Sequence, residues 1–268
     1  MQGLHKIGFS KIQIIAQNFE KYMTFSFSNF RFLDSFAFLA SSLDTLSSNL
    51  LNDGEDNFKH TLNENYTDKQ KQLILKKGVY PYEYIDNYNR FDEKKLPNKD
   101  LFYSSLNESG IKDTEYKHAE EVWKEFNIKN IGEYHDLYLK TDVLLLTDIF
   151  ENFRKTAIND YKLDPANGYF TLPNYAWDAM LYKTKIKLEQ LTDPDKYLFC
   201  EKAIRGGISM ISHRHAKANN KYMKNYDENK ESSYITYLDA NNLYGGSMCE
   251  SMPYNGFEWV ENFDDKFI

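Results

Sequence analysis

The sequence predicts a mixed chain, α/β in the α+β sense, with a short antiparallel hairpin, a long amphipathic helix and a late strand ending in an aspartate. Three observations carry that prediction. Tyr22-Met23-Thr24-Phe25-Ser26-Phe27 alternates in polarity, and Ser28-Asn29 after it is turn chemistry. Tyr134 to about Tyr161 places Leu137, Leu145, Ile149 and Phe153 near one helical stripe, widened by Leu144 and Leu146, with no Gly or Pro to break it. Tyr237-Leu238-Asp239 closes an apolar run with a carboxylate at its tip.

The remaining elements follow in order. Residues from Lys11 to Phe38 read as short strands, with the run from Phe30 to Phe38 returning from the Ser28-Asn29 turn. Ser41-Ser42-Leu43-Asp44 is a helix start, with Ser41 able to cap and Leu43, Leu46 and Leu50 on one face. Asn52 to Lys71 is polar and reads as loop or short helix. Gly78 to Pro97, rich in Tyr, Asp and Asn and interrupted by Pro81, reads as an ordered irregular connection. A helix is expected around Tyr116 to Phe126. After the long helix, Pro165 and Gly168 mark a break, and Pro173 precedes a helix from about Asn174 to Lys183. Leu191 to Lys196 leads into Tyr197 to Ile204. Gly206-Gly207 opens a strand over Ile208 to Ile211, His213 to Ser232 is a hydrophilic linker or hairpin tip, and the Asp239 strand follows.

Composition narrows the function classes. The chain has 268 residues, room for one large domain or two small ones, and its 41% apolar share sustains a core. A net charge of −7 argues against a general electrostatic clamp on nucleic acid. Glu201 to Lys230 reverses that balance locally, because Lys202, Arg205, Arg214, Lys217, Lys221, Lys224 and Lys230 oppose only Glu201, Asp227 and Glu228. Cys200 and Cys249 cannot form a disulfide framework, and a reduced intracellular setting fits them best. No basic-then-apolar leader follows Met1, and no run approaches the ~20 apolar residues of a membrane span, so no membrane partner is expected.

Three constellations could carry chemistry. Tyr138 and Asp142 lie at i, i+4 and share a helix face, where a tyrosine hydroxyl beside a metal-bound carboxylate can orient an attacking water. The same spacing also suits the polar edge of an amphipathic helix. Arg205-Gly206-Gly207 lets backbone approach a nucleic acid strand while arginine meets phosphate, although Gly-Gly also makes simple turns. Asp239, on a strand tip, can hold Mg²⁺, and Tyr244 five residues later can present its ring to an incoming nucleotide. A strand-end aspartate beside Asn241 and Asn242 can also be a helix start. Asp34, at the end of the Phe30-Arg31-Phe32-Leu33 strand, is a further candidate carboxylate. His213-Arg214-His215 lacks a further ligand at metal spacing and reads as a solvated basic segment.

Tyr237-Leu238-Asp239-Ala240-Asn241-Asn242-Leu243-Tyr244-Gly245 resembles the first catalytic motif of family B DNA polymerases, especially the protein-primed branch of viruses, linear plasmids and large self-synthesising transposons. Tyr138-Leu139-Lys140-Thr141-Asp142-Val143-Leu144-Leu145-Leu146 resembles the third exonuclease motif of that branch. Ile204-Arg205-Gly206-Gly207 resembles its Tyr-x-Gly-Gly element, with Ile204 in place of the tyrosine. Asn242 and Gly245 stand where the common polymerase motif has serine and proline.

The resemblance implies a partial ribonuclease-H-like exonuclease domain over residues 1–160, connecting helices over 161–203, and a template-contacting linker with the start of a polymerase palm over 204–268. It implies catalytic Asp239, Asp142 and Tyr138, with Mg²⁺ on Asp239 and Asp142. It further implies nucleotide contacts from Asn242, Leu243 and Tyr244, and DNA contacts from Arg205, Gly206 and Gly207. The implied partners are a DNA template and primer, deoxynucleoside triphosphates, and a terminal protein as primer. The family's Asp-x-Glu and Asn-rich exonuclease motifs do not occur before Asp34, and its Asp-Thr-Asp palm hairpin is absent. The expectation is therefore a segment of a DNA-directed DNA polymerase, inactive alone for want of the second palm carboxylate. The alternative is a non-catalytic remnant that binds nucleic acid or protein.

Overall fold

The computed structural model describes residues 12–18, 20–207 and 209–260. They fall into two units, with the boundary between Thr184 and Lys185.

In the first unit, strands β1 (Ile12–Ala16), β2 (Tyr22–Phe27) and β3 (Phe30–Leu33) form an antiparallel sheet in that order. Ser28 turns the chain in the left-handed region at φ 51°, and Phe27 then pairs with Phe30. Phe25 stacks on Phe32 across the ladder, with ring centroids 4.5 Å apart. The expected hairpin is therefore present, but its second strand is shorter than the run to Phe38. Asp34 ends it by accepting a hydrogen bond from the Phe36 amide at 3.0 Å, which opens a helical turn. Lys11, the first residue of the expected strand region, lies outside the described residues.

Helices α1 (Leu43–Asn52), α2 (Asp68–Ile74), α3 (Asp113–Glu125), α4 (Ile131–Tyr161) and α5 (Leu172–Thr184) complete this unit, together with short helical turns. The cap of α1 is Ser42, not Ser41: Ser42 Oγ accepts from the Thr45 amide, which leaves Asp44 in the first turn. Thr67 and Gln70 close a reciprocal capping box on α2. Asn130 caps α4, and Lys162 ends that helix in the left-handed region at φ 57°.

Helix α4 is the spine. Leu145 and Ile149 pack with Leu50 of α1, Phe58 and Leu75. One end of the helix buries Tyr134 against Ala119 of α3 and Ile128. The other buries Ala157 against Tyr175 and Ala179 of α5. Each cluster of this size is worth several kcal/mol of burial. Leu137, Leu145 and Ile149 of the expected stripe pack, whereas Leu146, expected to widen it, is exposed because it lies one residue round the helix from Leu145.

One polar contact sits inside this apolar spine. Asp148 is 2% exposed. Its Oδ1 accepts from the His60 amide at 2.9 Å, and its Oδ2 accepts from the Thr61 amide at 2.8 Å and from Thr61 Oγ at 2.7 Å. A buried carboxylate is tolerable only with such donors. The contact fixes the turn after Phe58 to α4 at one register.

The second unit holds helices α6 (Pro194–Ala203) and α7 (Leu243–Met248). Asp193 caps α6 and Pro194 occupies its first turn. The strands expected at Ile208–Ile211 and up to Asp239 do not form among the described residues. Ile208 lies outside them, and residues 209–211 and 234–240 have no ladder partner. A short apolar run reports that a segment suits a sheet, but a strand exists only where a neighbour takes its backbone hydrogen bonds. Here Tyr237 and Leu238 are exposed.

Replacing Asp148 by Ala should cost about 3 kcal/mol of unfolding free energy, because three buried donors lose their acceptor. Thr61→Val, which removes one of those donors and leaves both amide bonds, should cost about 1 kcal/mol. Urea denaturation followed by far-ultraviolet circular dichroism measures both. A cost for Asp148→Ala no larger than that of Thr61→Val would show that the carboxylate is not what holds the turn.

Candidate functional site: the Tyr138–Asp142 face and the Asp239 segment

Tyr138 and Asp142 stand one turn apart on α4 and face the segment that leaves α2. Gly78 lies against the Tyr138 ring, where an added Cβ would come within 3.4 Å of it. That leaves room for the chain to bring Lys77, Tyr80 and Tyr82 onto one helix face. Tyr80 stacks on Tyr138 with centroids 4.9 Å apart, and its hydroxyl meets His135 Nδ1 at 2.7 Å. The Tyr82 and Tyr138 hydroxyls are 2.7 Å apart. Lys77 Nζ donates to the Tyr138 hydroxyl at 3.3 Å and stands 3.9 Å from Asp142 Oδ2.

Lys77 is the functional residue that sequence reasoning missed. It lies 65 positions from Asp142 in the chain, as their numbers show, and nothing in the local pattern separates it from Lys76.

The electrostatics follow from burial. Tyr138 is held well above its ordinary titration range, first by burial, then by the hydrogen bond with Tyr82 and the charge of Asp142. It is a neutral hydroxyl at any working pH, able to donate or accept a hydrogen bond but not to serve as a phenolate. Burial raises the Asp142 carboxyl, and the Lys77 ammonium and Tyr138 oppose that shift. Asp142 Oδ1 is buried and makes no hydrogen bond. An acceptor left in that state is costly unless a cation or donor completes it. Asp142 therefore suits one ligand position of a divalent cation. No group of three His, Cys, Asp or Glu that could hold a metal ion stands among the described residues, so Asp142 offers a single carboxylate and not a complete cation site.

The second set of residues has a different character. Asp239 is exposed on a segment without helix or strand, as are Arg205, Gly206 and Gly207 after α6, with Gly207 in the left-handed region at φ 72°. Asn242 sits in the left-handed region at φ 52° at the start of α7. Its side chain lies over Gly245, where a Cβ would come within 2.3 Å of the Asn242 amide nitrogen. Glycine in place of the common proline is thus tied to asparagine in place of the common serine. Leu243 and Tyr244 are exposed, Tyr244 by 81%. The structure brings Tyr138 and Asp142 together with Lys77; Asn242, Leu243 and Tyr244 lie at the start of α7, and Asp239 precedes them on the exposed segment with no described contact to them.

Comparison with protein families assigns the chain to a class of nucleotidyltransferases. Residues 4–266 match the family described as DNA polymerase type B, organellar and viral, and the chain belongs to that family. Comparison with curated proteins and with solved structures gave no match.

Because Asp142 titrates above its ordinary value of 3.8, the folded chain holds that proton more tightly than the unfolded chain. The contribution of Asp142 to stability therefore falls as pH rises from the ordinary carboxyl value through the raised one. Lys77→Met should push the carboxyl higher still, since the ammonium is its main counterweight. Carbon-detected NMR of the Asp142 carboxyl across pH measures this. A midpoint at or below the ordinary value, or one unmoved by Lys77→Met, would contradict the account.

Proposed function

We propose that this chain is the part of a DNA-directed, protein-primed type B polymerase that joins the later half of a ribonuclease-H-like exonuclease domain, residues 1–160, to the start of the palm, residues 204–268, through the connecting helices of 161–203. The observation that carries the reading is the Lys77–Tyr138–Asp142 cluster, with its unpartnered buried carboxylate oxygen, in a chain of this family.

The roles follow from the chemistry of each group. Asp142 offers one carboxylate to a cation at an exonuclease centre, and Asp239 offers one at the palm. Mg²⁺, when bound, neutralises a triphosphate or scissile phosphate and activates the attacking oxygen. Tyr138, neutral and fixed by Tyr82 and Tyr80, orients a water through its hydroxyl. Lys77 sets the charge around Asp142 and lends a donor to Tyr138. In the second set, the Asn242 amide meets phosphate, Leu243 backs the turn, and the Tyr244 ring lies under the sugar of the incoming nucleotide. Arg205 meets template phosphate while Gly206 and Gly207 let the backbone come close. The reading requires further carboxylates beyond Asp142 and Asp239 to complete each cation site. The substrates are a DNA template and primer and deoxynucleoside triphosphates, with a terminal protein as the first primer.

In the polymerase that carries this segment, Asp239→Ala should lower nucleotide addition about a thousandfold or more while leaving DNA binding nearly intact. Tyr244→Ala should retain some deoxynucleotide addition and admit ribonucleotides about ten- to a hundredfold more readily. Primer extension with each nucleotide class measures both. Wild-type extension by Asp239→Ala would remove this motif from the active site.

A further inference from the structure

The second unit contains one well-wired loop that no role above has absorbed. Residues 219–233 form a closed loop whose ends pair: the Asn219 amide donates to the Ser233 carbonyl at 3.1 Å, and the Ser233 amide donates back at 2.7 Å. The Asn219 side chain reaches into the loop. Its Nδ2 faces the Asp227, Lys230 and Glu231 carbonyls at 3.0, 3.3 and 3.2 Å, and its Oδ1 accepts from the Asp227 amide at 2.9 Å. Asn220, 6% exposed, donates to the Ser233 carbonyl at 3.1 Å and accepts from the Tyr222 amide at 3.2 Å. A compact loop with closed ends and saturated internal acceptors holds its outward side chains in place.

The first half of the loop and the segment leading into it hold outward positive charge and an aromatic ring. From Ile204 to Tyr226 the chain carries Arg205, Arg214, Lys217, Lys221 and Lys224 and no Asp or Glu, in a protein of net charge −7. All five cations are exposed. The acids of the loop, Asp227, Glu228 and Glu231, lie on its other half, where Lys230 pairs with Asp227 at 3.2 Å. Tyr222 is 79% exposed, and its described ring contact is the Lys221 ammonium 5.2 Å from its centroid. Fixed cations spaced along a stretch that excludes carboxylates meet phosphates, and an exposed ring among them offers a stacking face to an unpaired base.

We propose that the 219–233 loop, with Arg214 and Lys217 leading into it, is a second single-stranded DNA contact, separate from Arg205-Gly206-Gly207, with Lys221 and Lys224 on phosphates and Tyr222 under a base. Asn219 is a positioning residue, acting through the loop it closes. The proposal rests on the polymerase reading only for the identity of the strand as template DNA.

The test is binding of the 268-residue chain to a fluorescein-labelled oligothymidylate, by anisotropy, over a range of salt. Lys221→Gln with Lys224→Gln should lower affinity and reduce the slope of log K against log salt by about 1.4, roughly 0.7 for each phosphate that no longer meets a lysine. Tyr222→Ala should weaken binding about tenfold with the slope unchanged. Asn219→Ala keeps every cation, yet it should weaken binding about as much as the double lysine variant, because the loop opens. Arg205→Ala should add to these losses independently. Unchanged affinity and slope in the double lysine variant would overturn the proposal, as would wild-type affinity in Asn219→Ala. Undiminished binding by Tyr222→Ala would overturn the stacking half. Failure of Asp239→Ala to affect nucleotide addition would remove the polymerase reading without touching this DNA contact.

Discussion

A single buried carboxylate fixes where the long helix lies. Asp148 sits among Leu145 and Ile149 on α4 and takes three hydrogen bonds from His60 and Thr61. The apolar clusters along the helix supply most of the burial, but apolar contacts tolerate a slide or a slight rotation. Three hydrogen bonds to one carboxylate do not. With that register set, Leu50, Phe58 and Leu75 pack on one side, and the face bearing Tyr138 and Asp142 is left for Lys77 and the tyrosines that follow it. Asp142 lies six residues before Asp148, roughly 120° around the helix. One carboxylate is thus saturated inside the core and the other is kept unsaturated at its edge.

That contrast is the chemical content of the first unit. Asp148 has its buried oxygens engaged by three donors, whereas Asp142 keeps a buried oxygen without a partner and has a lysine beside its other oxygen. Desolvation makes the carboxylate harder to ionise and strengthens its pull on any cation that arrives. The aromatic packing around Tyr138 serves the same end, since a hydroxyl pinned by Tyr82 and by a stacked Tyr80 is already oriented. In the second unit the Asp239 segment is exposed, and the most highly connected structure there is the loop closed by Asn219.

Much of this is legible in the residues, and the parts that are not share a physical cause. The hairpin can be read because its alternation and its Ser28-Asn29 turn are local. Helix α4 can be read because its apolar stripe repeats without interruption. Asp34, to which the family resemblance assigns no catalytic role, caps a turn. The cap of α1 falls one residue from its expected place, because Ser41 and Ser42 offer the same hydroxyl and only backbone geometry chooses between them. The strand before Asp239 is expected from a local apolar run alone, which cannot supply a partner. Lys77 and Asp148 do not stand out in the sequence, because their roles depend on residues 65 and 87 or more positions away, as the numbers of Asp142 and Thr61 show. The motif residues emerge through family resemblance. The lysine that opposes the effect of burial on Asp142 emerges only when the chain is folded.

The claim that Asp148 sets the register of the helix that carries the site is tested most directly by native-state hydrogen exchange on the wild-type chain and on Asp148→Asn. The account predicts that amides from Tyr138 to Ile149 are among the best protected in the first unit and lose protection together in the variant, because the turn at Thr61 and the helix open as one unit. Loss confined to His60 and Thr61, with Tyr138 to Asp142 protected as before, would contradict it.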